Sequence, residues 1–563
     1  MQDDFFITLL TGQLPFILIA SAVLAMPLSW LLLWRYRKAV SKIMSERASQ
    51  PTIQFQMQPE IRVKSISKSD NFLLDDASRL RLQFVDRERL SSKPENSLWL
   101  KSLKILQRAV CVHLFAGSVF ALIMASVYLI SGIEEIVAMQ LIVMGTIFFW
   151  PVVLVFNQLT TTAFKRAFVN MMFYFAALLM LNSIVLMRNP HMGFADLFVV
   201  WATYNLPPTL VLVAFLNRHI RAVGPMVWVF IFAAITGSLL ALGLVDASEM
   251  LLSVLTQLGA TVSFEATGIF AFILVAGFVV FSIGGWLLLK RIGKVYASRI
   301  ISDQSLVVDS VMLIFAIYYA INIAFEGPIW VLSGVAAFVA YNLIVRQGMK
   351  YVVHRSSPVM PLLVLRVFSL GNKSEALFQA ITQRWRYLGN VQLIAGPDLA
   401  TATIEPHEFL TFLSGRLKQE FIHDEKTLQQ RLAALDTQKD FDGRFRINEL
   451  FCYADTWKLA LAELVKQQHT VLMDLRSFST RKPGCIHELN TLVRVVPLHR
   501  ILLVVDETTD MNFLFQVLQK AWQQCRGNGI ADSVDGHAIR VCKLALSADP
   551  VKVLIPELCV VSQ

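Results

Sequence analysis

Val345-Arg346-Gln347-Gly348-Met349-Lys350-Tyr351-Val352-Val353-His354-Arg355-Ser356-Ser357-Pro358-Val359-Met360-Pro361-Leu362-Leu363-Val364-Leu365-Arg366-Val367-Phe368 contains the boundary on which the fold turns. Its first part closes the last of a series of apolar segments with Arg346 and Lys350, as a span closes at a membrane face. At about Ser356 that pattern stops, and Leu362–Phe368 is a short apolar run of the kind that fills a buried strand. The chain therefore divides into a bilayer-embedded part and a soluble α/β part.

Working back from this boundary, composition agrees with the division. Of 563 residues 55% are hydrophobic and 16% charged, with mean hydropathy +0.56, whereas soluble chains carry about a quarter charged residues. A helix needs about 20 predominantly apolar residues to cross ~30 Å of hydrocarbon. About nine segments have that length, near 5–33, 109–131, 137–157, 168–187, 194–216, 225–245, 266–289, 306–325 and 328–345. The first lacks the basic flank and cleavage site of a signal peptide and is expected to be a retained span. The expected domains are that span (1–35), a basic loop (36–106), an eight-span bundle (107–350) and an α/β domain (356–563).

Basic residues predict the orientation. Arg35, Arg37, Lys38, Lys165, Arg166, Arg218, Arg221, Lys290, Arg291, Lys294, Arg346 and Lys350 fall on one set of loops. The other set carries Glu134, Glu135, Asp196, Asp246, Glu249, Glu265 and Glu326, with Arg188 its one basic residue. Positive loops stay inside, which predicts an inner-membrane protein with its N-terminus outside and its α/β domain cytoplasmic. Juxtamembrane basic residues facing anionic lipid account for the net charge of +10. The expected partners are thus the bilayer and further copies of the chain, with no nucleic acid.

Six scattered cysteines, five of them after residue 450, exclude a disulfide framework and predict reduced thiols. No zinc-ligand spacing occurs, so no metal site is expected. His113 and Asp309 are among the few ionisable residues in the spans, and neither is central, which disfavours an ion-coupled carrier. Trp150-Pro151 and Asn205-Leu206-Pro207-Pro208 interrupt two spans. Such breaks can line a ligand cavity, but a proline kink closed by neighbouring helices is the commoner outcome. In the 36–106 loop, Leu73, Leu74, Leu80, Leu82, Phe84 and Val85 can form an apolar face that packs on the α/β domain.

After Met360, strands are predicted at Leu362–Phe368, Val391–Ala395, Phe445–Phe451, Thr470–Leu475, Arg500–Val505 and Ile539–Leu544. Helices are predicted at Lys373–Leu388, Pro406–Phe421, Thr456–Gln467, Cys485–Val496 and Met511–Arg526, with an inserted exposed helix at Asp424–Thr437. Their alternation predicts a mostly parallel, flavodoxin-type sheet whose ligands sit beyond the strand carboxyl ends. The absence of a Walker loop and of a Gly-x-Gly-x-x-Gly string disfavours a nucleoside triphosphatase or a Rossmann dehydrogenase. Asp506-Glu507-x-x-Asp510 can chelate a cation, although acids at a strand end and helix start are more often caps.

The most specific string is Val471-Leu472-Met473-Asp474-Leu475-Arg476-Ser477-Phe478-Ser479-Thr480-Arg481-Lys482-Pro483-Gly484-Cys485-Ile486-His487-Glu488-Leu489. A buried strand runs into a polar loop, and a helix then opens with Cys485-x-x-Glu488-Leu489. Cys485, Leu489, Leu492 and Val496 form a stripe that can pack on a sheet, with Glu488 at its edge in the expected first turn. A Glu there is favoured by the helix dipole alone.

This string resembles the third-helix start of TIR domains and, more loosely, that of nucleoside deoxyribosyltransferases. Leu365-Arg366-Val367-Phe368-Ser369 is similar to the first TIR strand. The resemblance implies a TIR-like sheet and places Glu488 as the carboxylate that works at the ribosyl carbon of NAD or a related nucleotide. It further implies Arg366 or Arg476 holding phosphate, with Asp474, Ser369 and Ser479 on ribose hydroxyls. A carboxylate beside a breaking N-glycosidic bond stabilises the developing oxocarbenium ion. No Trp precedes Cys485, and segment 397–443 is longer than a compact TIR domain needs. The first expectation is a membrane protein whose α/β domain binds and hydrolyses such a nucleotide in signalling, stress or defence. Its rivals are a permease or channel with a non-catalytic regulatory domain, and an inert membrane scaffold.

Overall fold

The computed structural model describes residues 14–46, 80–85, 97–132, 138–160, 164–186, 193–215, 223–246, 266–323, 326–353, 359–366, 372–396, 406–467, 470–526, 538–544 and 550–562, with residue 404 and a few positions between 248 and 257. Leu73 and Leu74 of the polar loop, Val367 and Phe368 of the first predicted strand, and Ser369 of the candidate site lie outside the described residues.

Eight strands form one sheet: β1 (Arg81–Phe84), β2 (Leu362–Arg366), β3 (Val391–Ile394), β4 (Phe421–Ile422), β5 (Ile447–Cys452), β6 (Thr470–Asp474), β7 (Ile501–Val505) and β8 (Ala538–Lys543). Their order is β1-β8-β7-β6-β2-β3-β5-β4, and every pairing is parallel. The central strands read as continuous apolar runs because helices cover both faces. Leu363, Leu365, Val471, Met473, Leu503 and Val505 pack beneath α14 (Trp457–Gln467), α15 (Pro483–Val495) and α16 (Met511–Arg526). Leu362, Val364, Leu472, Leu502 and Val504 pack on α11 (Asn372–Trp385) and the C-terminal α17 (Pro550–Val561).

The edge strand β1 comes from the segment between the helices Leu14–Ser45 and Ser97–Ser131. Leu80 is buried in the core under α16, and β1 aligns residue by residue with β8, Arg81 opposite Ala538 and Phe84 opposite Val541. The predicted docking of that loop is thus found at Leu80 and Leu82. The inserted helix α13 (Glu425–Ala433) is less exposed than expected, since Leu428 and Leu432 are buried; its N-terminus is closed by an Asp424–Thr427 capping box.

Among the described residues ten α-helices precede the domain: α1 (Leu14–Ser45), α2 (Ser97–Ser131), α3 (Ala138–Phe148), α4 (Trp150–Thr160), α5 (Phe164–Leu186), α6 (Phe194–Phe215), α7 (Gly224–Asp246), α8 (Ala266–Ala297), α9 (Asp303–Ile323) and α10 (Leu332–Val353). Among the described residues five of them, in α2, α7, α8, α9 and α10, are long and apolar enough to cross a membrane. The count becomes six if α3 and α4, bent by 40° at Phe149, are one broken span.

Both proline interruptions are closed from neighbouring helices. Pro151 has no N–H for the carbonyl of Ile147, and Asn205 Nδ2 donates to that oxygen instead (3.2 Å). Pro207 likewise frees the carbonyl of Thr203, which accepts from Tyr318 Oη (3.0 Å). Tyr319 Oη completes the node by donating to Asn205 Oδ1 (2.5 Å). Phe148 packs edge-on against Tyr319 at 4.6 Å, and a nearby cavity by Leu212, Trp228 and Ile314 has only about 10 Å³. The breaks are packed joints, as the commoner outcome had it.

The α/β domain is seated on the bundle through a polar seam at the α8–α9 turn. Arg386 donates to both oxygens of Asp303 (2.7 and 2.8 Å) and to the carbonyl of Phe445 (2.5 Å). Arg446 chelates Asp440 (3.1 and 3.1 Å), reaches the carbonyl of Tyr296 (2.5 Å) and lies 4.0 Å over that ring. Ser302 donates to Asp442 and Arg299 pairs with Asp436. Apolar packing runs across the same seam: Phe409, Phe421, Phe451 and Tyr453 belong to one core with Tyr36, Phe315 and Tyr341 of the bundle. The long 397–443 segment supplies much of this seat, through α12 (Pro406–Leu413) and the acids at 436–442.

Candidate functional site

In an open parallel sheet, neighbouring strands whose connections lead in opposite directions leave a crevice at their carboxyl ends. Here that point lies between β2 and β6, because from β2 the chain runs to β3, the edge strand β4 and β5 on one side, and then crosses to β6, β7 and β8 on the other. Arg366 ends β2 and Asp474 ends β6 in direct register. Both are buried, at 3% and 2% exposure.

Asp474 grips the guanidinium of Arg476 with both oxygens, from Nε at 2.8 Å and from Nη2 at 2.7 Å, and Oδ1 also accepts the Arg476 backbone N–H. It therefore orients that guanidinium, where the resemblance implied a contact to a ribose hydroxyl. A fork held this way keeps a fixed direction, which is what bidentate phosphate recognition needs. Ser477 follows with φ 60°, a left-handed conformation uncommon outside glycine, and its hydroxyl bonds Thr508 Oγ1 at 2.8 Å. Thr509 Oγ1 donates to the Leu475 carbonyl (3.0 Å), so the loops after β6 and β7 are laced together. Ser479 is half-buried on the same loop, and its carbonyl accepts from Lys482 N (3.1 Å) where α15 begins.

Helix α15 starts at Pro483, two residues earlier than predicted, with proline at a position that lacks an intrahelical acceptor in any case. Glu488 consequently lies in the second turn, not the first, and the dipole argument for an acid there weakens. Its side chain is 3% exposed, and Oε2 has no hydrogen-bond partner among the described residues. Burial pushes its carboxyl up to about 8, against the opposing charge of Arg366. Enclosure favours its protonated form, and it is not the solvent-facing carboxylate expected from the string. Cys485 sits one turn earlier, its Sγ 4.0 Å from the Arg366 carbonyl. Burial, reinforced by Glu488, pushes its thiol to about 12, so it is packing and not a nucleophile.

The acidic string after β7 is a turn and a cap. Asp506 Oδ1 accepts from the backbone and hydroxyl of Thr508 (3.0 and 2.6 Å), and Asp510 Oδ1 caps α16 at Phe513 N (3.0 Å). Burial works against ionisation of Asp506, but the Thr508 and Thr509 hydrogen bonds prevail and hold its carboxyl below the usual range. Among the described residues no group of three His, Cys, Asp or Glu side chains is arranged to hold a metal.

Three residues near these strand ends carried no assigned role in the sequence reading: Glu375, Thr508 and Thr509. Glu375, in the first turn of the helix that follows β2, is 3% exposed and accepts from Gln379 (3.1 Å). Thr508 and Thr509 tie the β6 and β7 loops. An acid opening the helix after a strand end was the available signal for the first, and the polar string Asp506-Glu507-Thr508-Thr509-Asp510 after a strand was the signal for the threonines. The assembled set is two guanidinium groups, one pre-oriented, beside a buried acid. That chemistry suits an anionic group, and an ionised Glu488 needs a cation brought close to it. No protein-family model matches the chain, and no curated protein or solved structure does so either.

Proposed function

We propose that the chain is a polytopic inner-membrane protein of about nine spans, N-terminus outside. Its cytoplasmic, TIR-like α/β domain binds a nucleotide-type anion over the ends of β2 and β6. The observation that carries this reading is the convergence of Arg366, the Asp474-held Arg476 and Glu488 at the point where strand order reverses. Occupancy there biases the seam at Asp303 and Tyr296, and copies of the chain assemble through the bilayer. The hydrogen-bonded, aromatic-packed proline joints favour this anchored, responsive role over a permease.

Hydrolysis of NAD is a second reading, favoured by the buried carboxyl of Glu488, whose Oε2 has no hydrogen-bond partner among the described residues. A nicotinamide ring carries positive charge, and its approach lowers the cost of ionising the acid, which then stabilises an oxocarbenium ion.

The test uses the full chain in nanodiscs, because β1 and the shared core tie the domain to the bundle. Binding of radiolabelled NAD and ADP-ribose is measured beside nicotinamide release, for wild type, Arg366→Ala and Glu488→Gln. Binding lost in Arg366→Ala and kept in Glu488→Gln, without turnover, supports the regulatory reading. Turnover abolished by Glu488→Gln supports the glycosidase. A wild type that binds neither ligand leaves the scaffold.

A further inference from the structure

At the end of the bundle nearest the α/β domain, α2 and α10 part to form a groove of about 460 Å³. Its walls include Lys104, Gln107, Arg108 and Cys111 from α2, and Gly348 and Tyr351 from α10. The helices touch at its floor, where a side chain on Gly348 would meet Val112 at 2.6 Å. Lys104 and Arg108 are exposed one turn apart on α2, and among the described residues no acid lines the groove. Tyr351 is 86% exposed at the mouth. From here the same two helices turn apolar faces outward, with Phe115 and Leu122 on α2 and Leu343 and Val339 on α10 all about half exposed or more.

We propose that this groove binds the headgroup of an anionic phospholipid from the cytoplasmic leaflet. The inference rests on the membrane reading above. Charge complementarity selects the ligand: two cations at the headgroup level face a phosphate, and an exposed Tyr sits at the interface that aromatic belts occupy. Chain geometry selects a lipid over a free phosphate, because the groove opens directly onto the apolar faces that acyl chains would follow. Basic pockets between spans on the cytoplasmic side are built this way.

The test is native mass spectrometry of the full chain in mild detergent, titrated with phosphatidylglycerol or phosphatidylcholine. Wild type should retain phosphatidylglycerol, and K104A/R108A should lose about thirtyfold in apparent affinity, at roughly a kilocalorie per basic residue. The K290A/R291A control, an exposed basic pair at the end of α8, should change less than about twofold. Equal retention by both variants, or equal binding of phosphatidylcholine, overturns the site. Displacement of the lipid by millimolar glycerol phosphate at the same groove would assign a soluble phosphate ligand and overturn it too. Alkaline carbonate extraction separates the two levels: a chain left in the membrane pellet preserves the membrane reading even if the lipid site fails, whereas release to the supernatant sinks both.

Discussion

Arg386 and Asp303 face each other across the seam between the α/β domain and the bundle, joined by two parallel hydrogen bonds of 2.7 and 2.8 Å. The guanidinium side is 4% exposed and the carboxylate side 36%. Stranding one partner of a fully buried pair costs about 3–5 kcal/mol, but the water still reaching Asp303 reduces this to roughly 2 kcal/mol for Arg386→Met. The full chain should melt several degrees lower, with new tryptic cleavage near the seam, and Arg386→Met with Asp303→Ala should cost less than the sum of the two. A melting point unchanged from wild type would show that the pair does not hold the seat.

Leu80 plugs the core beneath α16, and its backbone N–H donates to Gln519 Oε1 (3.2 Å). Leu80→Ala should destabilise by about 2–4 kcal/mol. The loss should be local: amide exchange should accelerate in β8, which pairs with β1, far more than in β2. Uniform acceleration across the sheet would instead mean that β1 is not an independent edge.

Much of this architecture was legible because parallel strands covered on both faces announce themselves as apolar runs. All six predicted strands lie within two residues of those found. β1 escaped because it is four residues long with no buried position, and β4 because it is two. The helix α17, with Leu554, Ile555, Leu558 and Cys559 buried, was also missed. The break at Ser356 marks a change in hydropathy, yet Tyr36 and Phe412 meet edge-on at 5.3 Å across it. Hydropathy is local and cannot report such a contact. For the site, the strand ends were placed correctly, but the string could not tell that Glu488 would be enclosed, since one proline shifted the helix start.

Asn205 is fully buried and serves three partners: the carbonyls of Ile147 and Trp201 and the hydroxyl of Tyr319. Asn205→Leu strands the Ile147 oxygen freed by Pro151 and the Tyr319 hydroxyl. Each unsatisfied buried group costs about 1–3 kcal/mol, so the detergent-solubilised chain should lose several degrees of melting temperature. Thr203→Val, which removes an exposed hydroxyl bonded within its own helix, should change it little. Equal effects from the two would deny that Asn205 closes the joint.

Glu488 gives the stability a pH dependence whose sign can be worked out. Its ordinary value near 4.5 applies to the unfolded chain, and burial in the folded chain, opposed by Arg366, raises it to about 8. Below pH ~4.5 both states are protonated and the group is neutral in its effect. Between there and pH 8 the unfolded chain ionises while the folded chain does not, so stability falls as pH rises; above that both ionise and the penalty is constant. Glu488→Gln keeps the shape without the titration. Relative to wild type it should gain stability progressively from pH 5 to 8, by up to on the order of 4 kcal/mol. Thermal melts of both proteins across that range check it, and a pH-independent difference would mean that the carboxyl is ionised in place or open to water.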